Sequence, residues 1–559
     1  MNCDNHDQQA DLRGSPGGHA LTQARDCETA APLLTKFRTD AAQYAYDGNT
    51  GAILRVDPVT YELLDFFGTR PNDEILSLLA TRFRRDEITN ALYRLQALSN
   101  NSGVFRPIAV KFRMVCPEFV AENWSKMSGT FDHLVLKVSD DCNLRCRYCV
   151  YSGAYENQDV YSQSKMPWEV ARNAIDIFLQ NPAHQIPRTL SFYGGEPLIN
   201  FELMTSCVEY VRSRDPGVSF SVTTNGTLLC EQVREFLVAH DFRLKVSLDG
   251  PREMHDANRL FLGGEGSFES IARHLRALKE SAPGYYEKNV IFFCTTSPNT
   301  DFRRLLDFFV NTPDLVNPAQ IFPSSVAPGH KTYFAPHLQL HGDGKLWRKE
   351  NLEEMFLQKV VQGDRGDREF AFLRTMFERA YLFVHRRPIN LKGWGESFHA
   401  MPTCFPGHSK LFVRPDGKLF ICEKSNNALE IGDLSTGLDG KKICGIYRAY
   451  YNLHNNECRK CWALRFCENC YASNTRETGA FPERLNTEDC DSIRWFWRDK
   501  LRKYAAVQEQ NPHAFDFLND ATLVWARIPL LDFDPSDPQS HPAIDGREVV
   551  GDRHLDGVT

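Results

Sequence analysis

Strand-like and helical segments alternate through the middle of the chain, and this alternation constrains the fold more than any other feature. Six apolar, β-type runs lie between residues 131 and 325, separated by segments with helical spacing. They are HLVLKVS (133–139), TLSFYGG (189–195), VSFSVTTNG (218–226), RLKVSLDG (243–250), NVIFFCTTS (289–297) and AQIFPSS (319–325). Six β/α units in sequence predict a parallel sheet, either open or part of a barrel. We expect the chemistry at the carboxyl ends of its strands.

Composition narrows the function classes. The chain has 559 residues, 42% of them hydrophobic, which suits a globular protein of several domains. Its formal net charge of −7 provides no basic field for a nucleic acid, so no nucleic-acid partner is expected. Neither a secretory signal nor an apolar run of membrane-spanning length is visible, and we expect a cytoplasmic protein without a membrane partner. In a reducing compartment, clustered cysteines are more often metal ligands or catalytic thiols than disulfides.

Ten of the seventeen cysteines fall into two groups. The first group is Cys142, Cys146 and Cys149, and the second is Cys404, Cys422, Cys458, Cys461, Cys467, Cys470 and Cys490. The other seven are isolated, and we interpret them as core or incidental thiols. They are Cys3, Cys27, Cys116, Cys207, Cys230, Cys294 and Cys444.

The first group stands in CNLRCRYC (142–149), immediately after the first strand-like run. The loop is short enough for all three thiolates to reach one metal centre. Zinc ordinarily takes four ligands, often from C-x2-C pairs, so three cysteines alone fit zinc poorly. A cubane iron–sulfur cluster held by three cysteines would leave one iron open. The octapeptide by itself leaves a disulfide, zinc or a buried cysteine cluster as alternatives.

Neighbouring motifs narrow these alternatives. CNLRCRYC resembles the CxxxCxxC signature of radical S-adenosylmethionine (SAM) enzymes, and Tyr148 matches the aromatic residue that lies beside the adenine. The resemblance implies further cofactor contacts at strand ends. They are Gly194, Gly195, Glu196 and Pro197 of the GGEP motif for the methionine amino group, and Asn225, Ser247 and Asp249 for the SAM carboxylate or ribose.

The stretch SLDGPREMHDANR (247–259), followed by GEGSFES (264–270), resembles peptide-modifying members of this superfamily. The resemblance implies that SAM binds the open iron and that one electron cleaves its C5′–S bond. The resulting 5′-deoxyadenosyl radical would abstract hydrogen from a carbon. No catalytic base can be assigned. We expect His255, Asp256 and Arg259, at the start of a loop or helix, to be solvated or to cap.

The spacing of the second cysteine group resembles the SPASM extension of these enzymes. Its last interval, the C-x2-C that ends at Cys470, departs from that pattern, which has three residues there. The resemblance implies two auxiliary [4Fe-4S] clusters, making three in all. The outer one would be held by Cys458, Cys461, Cys467 and Cys490, and the inner one by Cys404, Cys422 and Cys470. The inner cluster then has an open iron or a non-cysteine ligand, with Cys444 a lesser possibility, and a structural zinc ribbon is the alternative.

The N-terminal region predicts a small separate module. QYAYDGNTGAILRVD (43–57) reads as a hairpin, and a helix should follow with Asp57 as cap and Pro58 at its first position. Segments 72–83 and 86–98 have helical spacing. The module resembles winged-helix-like domains that bind the leader of a precursor peptide as an added strand. A DNA-binding winged helix is the alternative, since TRFRR (81–85) is basic.

These inferences define one expected architecture. The fold class is α/β: a partial (β/α)6 TIM-like barrel with the N-terminal winged-helix-like module and a C-terminal cysteine-rich SPASM domain. The expected boundaries are 1–30 flexible leader, 31–125 peptide-recognition module, 126–330 radical SAM barrel, 331–400 helical bridge, 401–495 SPASM domain and 496–559 C-terminal helix and tail.

The expected activity is an intramolecular crosslink installed in a ribosomally made precursor peptide. A thioether is the first choice, and a carbon–carbon or carbon–oxygen bond the second. A flavodoxin- or ferredoxin-type protein would supply electrons. The alternatives are maturation of a folded protein, such as a sulfatase or amine dehydrogenase subunit, and a non-catalytic iron–sulfur or zinc protein that binds peptides.

Overall fold

The computed structural model describes most of the chain between residues 31 and 519. The described ranges are 31–107, 111–113, 131–155, 157–180, 188–326, 348–389, 397–399, 406–407, 410–475 and 480–519. The predicted flexible leader, the tail from residue 520 and the thiols Cys3, Cys27, Cys116 and Cys404 lie outside them. Within the described part, no helix is long and apolar enough to cross a membrane.

Six parallel strands of a ten-stranded sheet form the centre of the described structure, which confirms the predicted strands. These six strands lie side by side in chain order. They are β5 (His133–Ser139), β6 (Thr189–Gly194), β7 (Ser219–Thr224), β8 (Arg243–Ser247), β9 (Val290–Thr296) and β10 (Ile321–Ser325). Sequential order without closure is the arrangement expected of a partial barrel.

Alternation along each strand assigns its two faces. On β5, Leu134, Leu136 and Val138 belong to the main core, while Val135 belongs to a small cluster on the other face. The helices between the strands cover the first face. They are α4 (Trp168–Gln180), α5 (Phe201–Arg212), α6 (Glu231–Ala239), α7 (Arg252–Asp256), α8 (Phe268–Ser281), α9 (Pro283–Asn289) and α10 (Phe302–Asn311). Most of the core is therefore buried between the sheet and this helical layer.

The N-terminal module contains one strand more than the sequence predicts. Its antiparallel sheet has β1 (Leu34–Arg38), β2 (Gln43–Asp47) and β3 (Ile53–Val56). Three helices follow: α1 (Pro58–Leu63), α2 (Asn72–Leu79) and α3 (Arg85–Ser102). The hairpin and the Asp57 cap are confirmed, because the Asp57 side chain accepts a hydrogen bond from the Thr60 N–H. Strand β1 escapes prediction because its five residues alternate too briefly beside a polar segment.

The cysteine-rich region extends the central sheet. Strand β12 (Lys410–Val413) pairs in parallel with β5, and β13 (Lys418–Phe420), β14 (Glu430–Asp433) and β15 (Gly437–Leu438) continue the sheet antiparallel. Strands β4 (Lys111–Arg113) and β11 (Ser397–His399) pair separately. The predicted helical bridge contains α11 (Lys349–Gln362) and α12 (Arg368–His385), and the helices after it are α13 (Gly440–Glu457), α14 (Tyr471–Thr475) and α15 (Thr487–Gln510). Helix α15 begins at Thr487, before the expected boundary at 496, because Asn486 caps it, and this places Cys490 in its first turn.

Candidate functional site

The first cysteine group lies at the carboxyl edge of the sheet, on the loop after β5. All three are free thiols, with Cys142 buried and Cys146 and Cys149 partly buried. Main-chain hydrogen bonds tie this loop to the chain that follows α7. The Arg145 N–H donates to the Leu260 carbonyl at 2.7 Å, and the Arg147 N–H donates to the Asn258 carbonyl at 3.0 Å. The loop is thus fixed on both sides of Cys146.

Two glycines let the GGEP segment lie directly against the cysteine loop. A Cβ on Gly194 would overlap the Ser139 carbonyl oxygen, and one on Gly195 would overlap that of Asp141. The close approach is held by hydrogen bonds at 2.8 Å from the Gly195 N–H to the Ser139 carbonyl and from the Glu196 N–H to the Asp141 carbonyl. Glycine is required here because only its missing side chain lets the two backbones meet.

Glu196 joins the ends of β6 and β7. Its carboxylate is fully buried and accepts from the Leu198 N–H at 3.1 Å, the Thr224 hydroxyl at 2.7 Å and the Asn225 N–H at 2.7 Å. Burial raises the pKa of Glu196 to about 7, although these hydrogen bonds lower it. Both oxygens are occupied by protein donors, so this carboxylate orders the edge of the sheet.

Asn225 connects the ends of these strands to the cysteine loop. Its side-chain amide donates to Asn143 Oδ1 at 2.9 Å and lies 3.9 Å from Cys142 Sγ. Asn143 in turn donates to the Thr227 hydroxyl at 2.8 Å. The structure therefore brings together the cysteine loop, GGEP and TTNG, which the sequence places far apart.

Asp249, just beyond the end of β8 at Ser247, is enclosed by protein groups. One of its oxygens accepts from the Thr295 N–H at 3.0 Å. The other accepts from the Arg259 Nε at 2.9 Å and from the Tyr148 hydroxyl. The side chain of Asp249 therefore links β8, β9 and the cysteine loop.

Two of the three residues expected to be solvated or to cap are buried instead. His255 is fully buried, and Arg259 is 7% exposed because it pairs with Asp249. The expectation is correct for Asp256, which accepts from the Phe268 N–H at 2.9 Å at the start of α8. Sequence spacing alone could not distinguish the buried residues from the capping residue, because the partner of Arg259 is Asp249, just beyond the end of β8.

Arg145 and Tyr161 also shape the cysteine loop, and the sequence gives no signal for either role. The Arg145 guanidinium donates to the carbonyls of Cys142 and Leu144 at 2.6 and 2.8 Å. It also lies 4.4 Å from the ring centre of Tyr161. Tyr161 hydrogen-bonds to Cys149, and burial with the nearby thiol raises its pKa.

The donor set of the first cysteine group fits an iron–sulfur cluster. Burial raises the pKa of Cys142 to about 12 and that of Cys146 to about 11, so a cationic centre is needed to hold them as thiolates. Amide and guanidinium N–H groups lie near two of the sulfurs, as expected around a cluster whose sulfurs carry negative charge.

Four cysteines of the second group line one cavity of about 100 Å³. They are Cys458, Cys461, Cys467 and Cys490, the four assigned to the outer cluster. His454 lies at its wall, with Nδ1 3.3 Å from Cys458 Sγ, and burial lowers its pKa to about 4. Among the described side chains, no group of three or more His, Cys, Asp or Glu could hold a single metal ion.

The proposed inner ligands are described only in part, because Cys404 lies outside the described residues. The loops of Cys422 and Cys470 are joined by a 2.7 Å hydrogen bond from the Asn426 amide to the Thr475 carbonyl. The Ser473 hydroxyl donates to Cys470 Sγ at 3.2 Å. Cys444 is partly buried on α13.

A ladder of polar side chains crosses the sheet on the face opposite the helical layer. His133 Nε2 lies 2.6 Å from the Ser191 hydroxyl, which lies 2.6 Å from the Ser221 hydroxyl. Lys245 donates to Ser221 at 3.3 Å, and burial lowers the pKa of Lys245 to about 8. Sequence reasoning missed this ladder because its members are single polar residues within apolar runs. Their alternate positions on four neighbouring strands could have indicated it.

The family comparison accounts for the cysteine loop and its neighbouring motifs. Residues 136–309 match the family model of the Radical SAM superfamily. These residues form a radical SAM domain. It contains the cysteine loop, GGEP, TTNG and the Asp249 network, while the N-terminal module and the second cysteine group lie outside the matched residues.

Relatives of this chain are found among curated proteins. The chain is 28% identical over 239 residues to a cysteine-type anaerobic sulfatase-maturating enzyme of Clostridium novyi, covering 40% of this chain and 61% of that enzyme. It is 23% identical over 344 residues to the radical SAM cyclopropyl synthase TigE of Paramaledivibacter caminithermalis, covering 59% and 66%. The chain thus spans less than two thirds of either relative.

Among solved structures, anSMEcpe with bound AdoMet and the Cp18Cys peptide has a TM-score of 0.48 and 19% identity, covering 69% of this chain and 98% of that one. Streptococcus suis SuiB bound to precursor peptide SuiA has a TM-score of 0.39 and 14% identity, covering 81% and 98%.

Proposed function

We propose that this protein is a radical SAM maturase that installs an intramolecular crosslink in a ribosomally made precursor peptide. A thioether is the first choice of crosslink, and a carbon–carbon or carbon–oxygen bond is the second. The Cys142, Cys146 and Cys149 thiolates would hold the SAM-binding [4Fe-4S] cluster, and the second cysteine group would hold two auxiliary clusters. When bound, the first cluster and SAM supply a 5′-deoxyadenosyl radical.

One observation carries the choice of a peptide substrate: the N-terminal module docks directly on the second cysteine group. Arg465, between Cys461 and Cys467, donates to the carbonyls of Gly48 and Asn49 at 2.6 and 2.7 Å. Tyr46 packs against the rings of Trp462 and Phe466. A peptide held by this module would therefore be anchored beside the auxiliary cysteines.

Strand β3 provides the edge for such a peptide. In the described part of the chain, β3 pairs only with β2, whereas β1 lies beside α15, where Arg498 donates to the Thr35 hydroxyl at 2.9 Å. A leader added to β3 would pair with the backbone N–H and carbonyl groups that face away from β2. We propose this edge as the leader-binding site of a winged-helix-like module.

Within the radical SAM domain, the chain's own residues would position the cofactor. The cysteine loop is fixed by GGEP, and Glu196 orders the ends of β6 and β7. We propose that Tyr148, Gly194, Gly195, Pro197, Asn225 and Ser247 line the SAM site, while Glu196 and Asp249 shape it through their protein hydrogen bonds. A flavodoxin- or ferredoxin-type protein would supply the electron.

Maturation of a folded protein is the second candidate. The similarity to the Clostridium novyi enzyme favours this candidate, because that enzyme is named for the maturation of a sulfatase. In this case a cysteine or serine in a sulfatase peptide, rather than a leader-bearing precursor, would be oxidised.

Anaerobic reconstitution tests the radical chemistry. We expect iron and sulfide for three clusters, and conversion of SAM to 5′-deoxyadenosine when a reductant is added. Cys142→Ala should abolish this conversion, while Cys230→Ala, at an exposed and isolated thiol, should retain it. Zinc in place of iron, or no deoxyadenosine from the reconstituted wild type, would refute the proposal.

Mass spectrometry of the product tests which class of substrate the protein modifies. The protein is co-expressed with short cysteine-containing reading frames found beside its coding region, and separately incubated with a sulfatase active-site peptide. A loss of two hydrogens from the precursor, located by tandem fragmentation to two joined residues, supports the crosslink. Oxidation of the sulfatase peptide alone would favour the second candidate.

A further inference from the structure

Arg259 points its guanidinium at the sulfur of the central cysteine in the first group. Its side chain is buried, and its Nη1 lies 4.0 Å from Cys146 Sγ. Its Nε donates to Asp249 at 2.9 Å, and its guanidinium carbon lies 5.3 Å from the ring centre of Tyr148. One planar group therefore contacts a carboxylate, an aromatic ring and a thiol at once, which lysine could not do.

The backbone around Arg259 holds this geometry. Its N–H donates to the His255 carbonyl at 2.9 Å, and its carbonyl accepts from the Ser267 hydroxyl at 2.8 Å. The residues on either side, Asn258 and Leu260, accept the main-chain bonds from the cysteine loop. The guanidinium cannot swing away without breaking contacts on several sides.

We propose that Arg259 is a positioning residue that raises the reduction potential of the iron–sulfur cluster at Cys142, Cys146 and Cys149. The inference rests on the proposed function only in requiring that cluster. Adding one electron makes the cluster more negative, and a fixed cationic N–H group beside a ligand sulfur stabilises the reduced form. Arg259 holds Asp249 with its Nε and turns a different nitrogen, Nη1, toward the sulfur, so the pair presents a cationic N–H group to Cys146. Burial strengthens this field, because little water screens it.

Redox titration followed by electron paramagnetic resonance tests the proposal without substrate or SAM. The reconstituted wild type, Arg259→Gln, Arg259→Lys and Asp249→Asn are poised at a series of potentials. The spectrum of Cys142→Ala is subtracted to remove the auxiliary clusters. Arg252→Gln is the matched control, because Arg252 is an exposed arginine only seven residues away.

The proposal predicts shifts of opposite sign. At a fixed potential, Arg259→Gln should lower the ratio of reduced to oxidised cluster about tenfold. For one electron this equals a fall of about 59 mV in the reduction potential. Arg259→Lys should lower the reduction potential less, Asp249→Asn should raise it, and Arg252→Gln should leave it unchanged.

A purely structural role predicts a different result. Equal potentials for wild type and Arg259→Gln, or shifts of the same sign for Arg259→Lys and Asp249→Asn, would overturn the proposal. The last two variants decide it if Arg259→Gln does not assemble a cluster. A wild type that assembles no cluster would instead refute the proposed function, and a wild type that cleaves SAM without these shifts would refute this inference alone.

Discussion

The main-chain N–H of Asn225 donates a 2.7 Å hydrogen bond to the carboxylate of Glu196, which has no exposure to solvent. This bond joins the GGEP segment to the TTNG segment, and Asn225 in turn lies beside Cys142. The hydrogen bonds of Glu196 therefore hold the carboxyl edge of the sheet together, whatever ligand that edge binds.

Replacing Glu196 should destabilise the fold as well as the site. Glu196→Ala would leave two buried N–H groups and one hydroxyl without their acceptor, and we expect a loss of about 3 kcal/mol in the free energy of unfolding. Chemical denaturation measures this change. Glu202→Ala, at an exposed position on α5, is the control and should have little effect. Equal stability of the two variants would contradict the role given to Glu196.

Gly195→Ala should displace the cysteine loop, because a Cβ there would overlap the Asp141 carbonyl. We expect the reconstituted variant to lose about four iron atoms per chain, the content of one cubane cluster. Iron analysis and absorption spectra provide the measurement. Gly284→Ala, where a Cβ meets nothing within 4 Å, should keep the full iron content. Normal iron content in Gly195→Ala would show that the loop tolerates the displacement.

Lys245 should make stability depend on pH in the alkaline range. Burial lowers its pKa to about 8 from 10.5. Below pH 8 the folded chain bears the cost of a buried charge. Between pH 8 and 10.5 the unfolded chain binds more protons, so stability rises with pH.

Lys245→Met should remove that cost and raise the free energy of unfolding at pH 7 by about 2 kcal/mol, with a smaller gain at pH 10. Denaturation at both pH values tests this expectation. Lys441→Met, at an exposed lysine, should change neither. A destabilised Lys245→Met variant would mean that the ammonium gains more from Ser221 than burial costs it.

Arg465→Ala should loosen the N-terminal module from the cysteine region. It would remove the donor of two hydrogen bonds to Gly48 and Asn49, at a cost of about 2 kcal/mol. Hydrogen exchange of residues 44–56 should accelerate. Arg459→Ala, which loses exposed hydrogen bonds to Asn455, should exchange like the wild type. Unchanged exchange in Arg465→Ala would show that the aromatic contacts of Tyr46 suffice.

Local sequence patterns predicted the helices and strands of the sheet, whereas the tertiary pairings depended on long-range contacts. The strand at 133–139 matches its predicted bounds, since it has a clear period and a polar boundary. The pairing of Asp249 with Arg259, and of β12 with β5, depends on tertiary proximity that no local period encodes. For the same reason, the sequence could propose Glu196 as a cofactor contact but could not show that its carboxylate is satisfied within the protein.

The turn at Gly48 and Asn49 and the loop that carries Arg465 share partly buried hydrogen bonds, so the stabilities of the two segments are linked. Anything that stiffens the loop between Cys461 and Cys467 also favours the docked turn, and the reverse holds by reciprocity. If these cysteines hold the proposed auxiliary cluster, oxygen damage to that cluster would therefore weaken the proposed binding of a leader at β3. Under the proposed function, a chain without this cluster would release the precursor peptide rather than hold it unmodified.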